Sequence, residues 1–415
     1  MKRVLFVDDD RNVVQGLRRM LRSLRHEWDV QLASSGPAAL EAIKERAFDI
    51  VVSDMKMPGM DGADLLTRVK CLHPDSIRII LSGHSERKAI LKSVAPAHQY
   101  LLKPCEAETL KETIERAYAL RALLRCSKLK ELVSQIDSLP SVPSLYQGLV
   151  TELKKPDASL HKIAKTMEQD IGMSANILKL VNSAYFGLFK PVTSVERSVT
   201  HLGLETINDL LSIPIFSEYK GPEIPGFSLE TLWRHSMRTA AFARIIAREE
   251  EPEGRLAAEA FQAGILHDAG QLILAARIPE RYGQVLQRAA ADGTSVSTTE
   301  GEMLGGTHAE VGAYLIGLWG LPEPIVEAVA YHSRPRECPR MGFGPLAAVH
   351  VANALALEAD TSSPPAVLPR VDLEYLTNLG LEHRLPAWRK ACLNGGTDAT
   401  GARLEVESFG RGLQG

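Results

Sequence analysis

Residues 49–62 read DIVVSDMKMPGMDG, and the order of residue types in that stretch decides the fold. Ile50, Val51 and Val52 are apolar at consecutive positions, as in a strand covered on both faces. A carboxylate, Asp54, ends the run, and Pro58-Gly59 breaks the chain soon after. Working outward, VLFV (4–7), RIILSG (78–83) and QYLLKP (99–104) repeat the design, each a short apolar run closed by polar residues. Amphipathic stretches lie between them, the first carrying Val13, Val14, Leu17, Leu21 and Leu24 at helical spacing. Strand alternating with helix makes the sheet parallel. Residues 1–120 are therefore expected to form an α/β domain, a doubly wound parallel five-stranded sheet.

After Pro104 the period lengthens to that of a helix. Leu110, Ile114, Ala117, Leu120 and Leu124 form one stripe, predicting a helix that continues into the 130s. From Leu139-Pro140 onward, helix-length segments are separated by breakers such as Lys155-Pro156-Asp157, Gly187, Gly221-Pro222 and Pro335, with no strand-like alternation. The expected organisation is the α/β domain at 1–120, a helical linker at 121–135, an all-α domain at 136–358, and a C-terminal helical segment with a flexible tail at 359–415. Arg121, Arg125, Lys128 and Lys130 cluster in the linker and read as a solvated basic face.

The whole chain has 415 residues, 48 Lys+Arg against 51 Asp+Glu, and 45% apolar residues, which fits folded globular domains and not a disordered chain. A net charge of -3 supplies no basic surplus for gripping phosphate backbones, so no DNA binding is expected. Cys71, Cys105, Cys126, Cys338 and Cys392 lie far apart without a C-x-x-C pair, which excludes a zinc ribbon and a disulfide framework. Neither a signal-peptide core nor a membrane-length apolar run occurs, so no membrane contact and a cytoplasmic location are expected.

In an open parallel sheet, ligands bind beyond the carboxyl ends of the strands. Asp8 and Asp9, Asp54, Ser82 and Lys103 end successive apolar runs, so three carboxylates, a hydroxyl and an amine should converge there. Acids packed this closely need a hard cation, and oxygen donors that leave positions for water and phosphate suit Mg²⁺. Asp54 then serves as nucleophile toward a phosphoryl group, Lys103 pairs with the phosphoryl oxygens, and Ser82 donates a hydrogen bond to one of them.

At these residues the sequence resembles the receiver domain of bacterial response regulators, through VLFVDDD, DIVVSDMKMPGMDG, LSG and YLLKP. The resemblance implies that Asp54 is the phosphoacceptor and that Asp9, Asp54 and the Lys56 backbone carbonyl bind Mg²⁺, with Asp8 acting through water. It implies that Ser82 and Tyr100 form a switch pair. It also implies a sensor histidine kinase or phosphotransfer protein as partner, with the receiver catalysing its own phosphorylation.

Among the helical segments, His235, His267-Asp268, His308 and His332 recur at wide intervals, and His350 and Asn353 share a helix face. Metal sites in helical bundles are assembled from such inward side chains on different helices. This region resembles the HDOD family, a regulatory relative of the HD metal-dependent phosphohydrolases. The carrying motifs include KIAKTMEQDIGMSANILKLVNSAYFG (162–187), AGILHDAGQLIL (263–274) and THAEVGAYLIGLWGLPEPIVEAVAYH (307–332). That likeness makes His235, His267, Asp268, His308 and His332 the candidate ligands of a transition metal. Asn353 occupies the late acidic position of the HD enzymes and Ser333 stands where a second histidine commonly follows, and both departures weigh against hydrolysis.

The combined expectation is a response regulator of a two-component phosphorelay in which phosphorylated Asp54 controls a regulatory, non-catalytic HDOD output that binds a protein partner. The alternative is a receiver-gated HD-type phosphodiesterase acting on a cyclic dinucleotide or nucleotide. The stripe along residues 105–135 is the expected transmission rod; it packs either on the HDOD domain or on a second copy as a homodimer, and its period does not choose.

Overall fold

The computed structural model describes residues 1–24, 26–83, 96–155, 157–182, 192–211, 217–252, 254–359 and 370–393. Gly187, the Pro-rich run 361–369 and the C-terminal tail from 394 lie outside them.

β1 (Lys2–Val7), β2 (Trp28–Ala33), β3 (Ile50–Asp54), β4 (Ile77–Ser82) and β5 (Gln99–Leu102) form one parallel sheet in the order β2-β1-β3-β4-β5. Every residue of β3 and β4 is buried, the physical reason for their unbroken apolar runs. β2, WDVQLA, lies at the sheet edge with four half-buried residues, so it alternates and shows no such run. The register pairs Val7 with Ser53, Asp54 with Leu81, and Ser82 with Leu102. The strands thus end level, and the residues closing them form one row at the point where the strand order reverses.

The expected continuous helix across 105–135 is corrected. A helix spans Ala107–Ala119, a 3-10 turn covers Leu120–Ala122, and a separate helix spans Ser127–Ser134. The break lets the stripe change neighbours. Leu110, Ile114 and Ala117 are buried with the sheet domain, whereas Leu120 meets the helix His308–Leu318 at Gly317, where a Cβ would stand 2.5 Å from Leu120 Cδ2. Leu124 and Leu129 approach Gly306 just before that helix. The stripe is therefore covered within the chain, and no longer supplies a face for self-association. Arg121 is not a solvated cation either: it reaches Asp75 at 3.3 Å and Asp49 at 3.4 Å.

The junction also contains a buried guanidinium. Arg78 in β4 is fully enclosed and donates to the carbonyls of Pro74, Ser76, Pro96 and, at 2.6 Å, Ser134 in the linker. Burial lowers its pKa to about 10, still leaving it charged at neutral pH. Lys70 pairs with Asp137 at 2.5 Å, and Gln99 of β5 donates to Gly317 O at 3.4 Å.

Beyond the linker, the regular elements among the described residues are helices, and the β structure there is two isolated bridges. The long helix Leu229–Glu250 packs against Arg255–Leu266 and Pro345–Glu358. The helix Leu385–Leu393, the last among the described residues, folds back on it: Trp388 is buried and its indole donates to Glu250 at 2.9 Å. No described helix is long and apolar enough to cross a membrane.

Candidate functional site

Two clusters of ligand-type side chains emerge, one at the strand ends and one among the helices. At the strand ends, oxygen atoms of Asp8, Asp9 and Asp54 lie within 4.8 Å of one another. Asp8 and Asp54 are buried and Asp9 is exposed. Lys103 reaches between them, 2.6 Å from Asp8 Oδ2 and also paired with Asp54. Burial raises the pKa of Asp54, an effect that the Lys103 ammonium opposes. Burial would depress Lys103, but its hydrogen bonds to Asp54 and Asp8 hold it above its ordinary value.

Asp8 Oδ1 accepts from Asp10 N at 2.9 Å, which fixes the turn after β1, and the Lys103 backbone donates to Ser82 O at 2.8 Å. Ser82 is buried, with its hydroxyl 3.4 Å from Gly83 O. Tyr100 is buried as well and pairs in register with Ile80. Lys56 follows Asp54 by two residues on the loop leaving β3. An all-oxygen donor set with one exposed member fits Mg²⁺.

The second cluster draws on five helices and the junctions beside them. His235 sits in Leu229–Glu250; His267 and Asp268 link Arg255–Leu266 to Ala269–Arg277; His308 opens His308–Leu318; His332 closes Glu323–Tyr331. Gly270 permits the crossing, because a Cβ there would stand 1.9 Å from His308 O. Around Asp268, the Nε2 atoms of His267 and His308 each lie 3.2 Å from a carboxylate oxygen, and those of His235 and His332 lie at 3.8 Å. The four histidines and Asp268 predicted from the sequence are thus brought together.

Hydrogen bonds decide which ring nitrogen faces inward. His267 Nδ1 donates to Gly264 O at 2.7 Å and His332 Nδ1 to Val329 O at 2.9 Å, since a carbonyl can only accept. Their Nε2 lone pairs then face carboxylate oxygens, and acceptors so close need a shared cation, either a proton or a metal. Burial lowers the pKa of His235 to about 4 and of His332 to about 3, leaving both neutral at pH 7, the form in which an imidazole can ligate. Burial opposes a charge on His308, yet Glu300 and Asp268 push its pKa up to about 10. Asp268 falls well below the usual carboxylate range because His267 and His308 outweigh its desolvation. Asn353 lies beside His235 and keeps a buried Oδ1 without a hydrogen-bond partner. Imidazoles, one carboxylate and an orphaned amide oxygen fit a transition metal.

Sequence reasoning missed Glu300. It is fully buried, and Oε2 accepts from both His308 Nδ1 at 2.7 Å and His308 N at 2.8 Å. Its spacing of eight residues from His308 carries no helical signal, because the two lie on different helices. His350, by contrast, stands outside the cluster: it donates to His332 O and accepts from Asp372 N. Ser333 Oγ is buried without a partner.

The sheet order and the acidic row define a receiver. A model of the response regulator receiver domain matches residues 4–115, and a model of the HDOD domain matches residues 139–335. The chain belongs to the response regulators, with an N-terminal receiver domain followed by an HDOD domain. It is 32% identical over 151 residues to the transcriptional regulatory protein ZraR of Escherichia coli O157:H7, covering 36% of this chain and 34% of ZraR. It is 27% identical over 246 residues to an uncharacterized protein of Treponema pallidum, covering 59% of this chain and 47% of that one. The chain thus spans between a third and a half of the length of these curated relatives. The MmoQ response regulator from Methylococcus capsulatus aligns with a TM-score of 0.48 at 23% identity, over 61% of this chain and 98% of that one.

Proposed function

We propose that the protein is a phosphorylation-controlled regulator: Asp54 takes a phosphoryl group from a sensor histidine kinase or phosphotransfer protein, and its HDOD domain responds by engaging a protein partner. The convergence of Asp8, Asp9, Asp54 and Lys103 at the strand ends carries this reading. An Asp54 oxygen attacks phosphorus, the P–N bond to the donor imidazole breaks as the P–O bond forms, and the imidazole leaves with its electron pair. Lys103 neutralises the incoming oxygens, and the Ser82 hydroxyl is placed to donate to one of them. Mg²⁺ held by Asp8, Asp9, Asp54 and the Lys56 carbonyl would screen the charge that accumulates.

A dianionic group on Asp54 competes for Lys103 and draws Ser82 toward it, which disturbs β4 and its register partner β5. Beside Tyr100, Gln99 is bonded to Gly317, on the helix whose first residue is His308. This route runs from the phosphoacceptor to the histidine cluster through one rigid helix. The direct test is incubation with acetyl phosphate and Mg²⁺: the native protein is labelled, and Asp54→Ala is not. Full labelling of the variant would remove the assignment.

The helical cluster supports a bound transition metal on His235, His267, Asp268, His308 and His332. Such an ion would bind phosphate oxygens and activate water. The neutral Asn353 and the enclosure of every ligand except His235 favour a regulatory role for this cluster. A second reading, metal-dependent hydrolysis of a cyclic dinucleotide or nucleotide, is favoured by the convergence itself. Incubating such nucleotides with metal-loaded protein and with His267→Ala separates the two: turnover lost in the variant supports the enzyme, and no turnover supports the regulator.

A further inference from the structure

A cleft of about 380 Å³ lies away from both clusters, between the entry to the helical domain at 136–140, the segment 217–222 and the last turn of the helix Ala269–Arg277. Lys220 and Arg277 line it, both exposed, and no acid is among the described residues of its walls. Two positive charges thus share one space without a carboxylate between them. Such a cleft concentrates anions.

A hydroxyl is held ready for that anion. Tyr219 lines the cleft, yet its Oη is buried without a hydrogen-bond partner, and burial raises its pKa so that it stays a donor at neutral pH. Gly221 makes room for it: a Cβ there would stand 2.2 Å from Tyr219 Oη, so a side chain at 221 would displace the phenol. Leaving a buried hydroxyl unpaired is costly, and an acceptor oxygen in the cleft relieves that cost. Ser138 and Ser217 add further hydroxyls to the lining.

The charge and the remaining walls select the ligand. A carboxylate would balance only one of the two cations, whereas a phosphate monoester carries close to two negative charges at neutral pH and three acceptor oxygens. Leu139, Pro140, Pro222 and Ile273 supply apolar surface on which a flat ring can rest. We propose that the cleft binds a nucleoside monophosphate, its phosphate between Lys220 and Arg277 with Tyr219 donating to one oxygen, and its ring system on the apolar wall. The site requires neither a phosphoryl group on Asp54 nor a metal. It sits where a small molecule can bear on the junction: Ser141 N donates to Ser217 O at 2.8 Å and Tyr219 N to Ser141 O at 2.9 Å, and the entry segment carries Asp137, the partner of Lys70 in the receiver. An occupant ties these segments to the helix that begins after Asp268.

Calorimetric titration of the full chain with AMP and with GMP tests the proposal, in the presence of a chelator that keeps metal-held phosphate out of both clusters. At least one nucleotide binds with a stoichiometry of one, its nucleoside does not bind, and inorganic phosphate binds more weakly than the nucleotide. Arg277→Gln, Lys220→Gln and Tyr219→Phe each weaken the nucleotide by about 10-fold, the worth of a hydrogen bond to a charged group. Bound nucleotide also slows hydrogen exchange across 136–141 and 217–222. Melting temperatures check the fold of each variant; should Tyr219→Phe fail to fold, the two exposed cations carry the test. No uptake of either nucleotide, a nucleoside or inorganic phosphate binding as tightly as the nucleotide, or undiminished affinity in both folded cation variants overturns the proposal. Labelling of Asp54 by acetyl phosphate is unaffected by any of these outcomes, so failure here is distinct from failure of the receiver assignment.

Discussion

At the strand ends, Asp8, Asp9 and Asp54 offer only oxygen, one of them exposed, and Lys103 already supplies a positive charge. Among the helices, four imidazoles surround one carboxylate, and burial shields all of them except part of His235. The first arrangement suits a hard ion that comes and goes with phosphate; the second suits a softer ion retained through folding. The contrast teaches that similar clustering of titratable groups can serve a transient reaction at a crevice or a resident ion in a core, and that exposure and ligand type distinguish them.

The largest expected effect separates the two clusters outright. Asp54→Ala reduces acyl-phosphate labelling to background while Co²⁺ uptake by the histidine cluster is unchanged; a loss of both would mean that the clusters are not independent. Asp268→Ala does the reverse. It removes the carboxylate shared by all four histidines and leaves the Nε2 side of His308 without its buried partner while Glu300 still holds Nδ1, at a cost of about 1–3 kcal/mol in denaturant unfolding. Labelling at Asp54 persists in this variant, and a cost below about 1 kcal/mol would show that the cluster holds no buried charge.

Smaller than either loss of function is the effect that tests the junction between the clusters. Leu120→Ala empties the contact on Gly317 and costs about 2–4 kcal/mol, measured by the same unfolding curves. Smaller again is a pH dependence confined to the metal-stripped protein. Because the folded pKa of His308 is raised to about 10 from 6.5, its contribution is full below pH 6.5 and is lost as pH rises toward 10. Native protein therefore melts at progressively lower temperature between pH 7 and 9 relative to His308→Asn, and metal loading flattens the difference. Parallel curves without metal would contradict the assignment.

The strand-end residues were legible in the sequence because an apolar run closed by a polar residue marks where a buried strand stops. β2 was not, since an edge strand alternates and carries no such run. The histidine cluster was legible as residue types at wide spacing, but its orientation depends on the carbonyls of Gly264 and Val329, which no side chain announces. Glu300 reads as an ordinary surface acid in Val296–Leu304 until the fold buries it. The broken linker was hidden for a related reason: the spacing of Leu110 to Leu124 is helical throughout, and the end of the helix at Ala119 coincides with the approach of Leu120 to Gly317, a residue distant in sequence.

Hydrogen exchange across residues 120–134 and 308–318, measured with and without acetyl phosphate and Mg²⁺, tests most directly whether a phosphate at Asp54 reaches the helical domain. Altered protection in both segments of the native protein, absent from Asp54→Ala, is the predicted result. Identical exchange before and after stoichiometric phosphorylation of the native protein would contradict it.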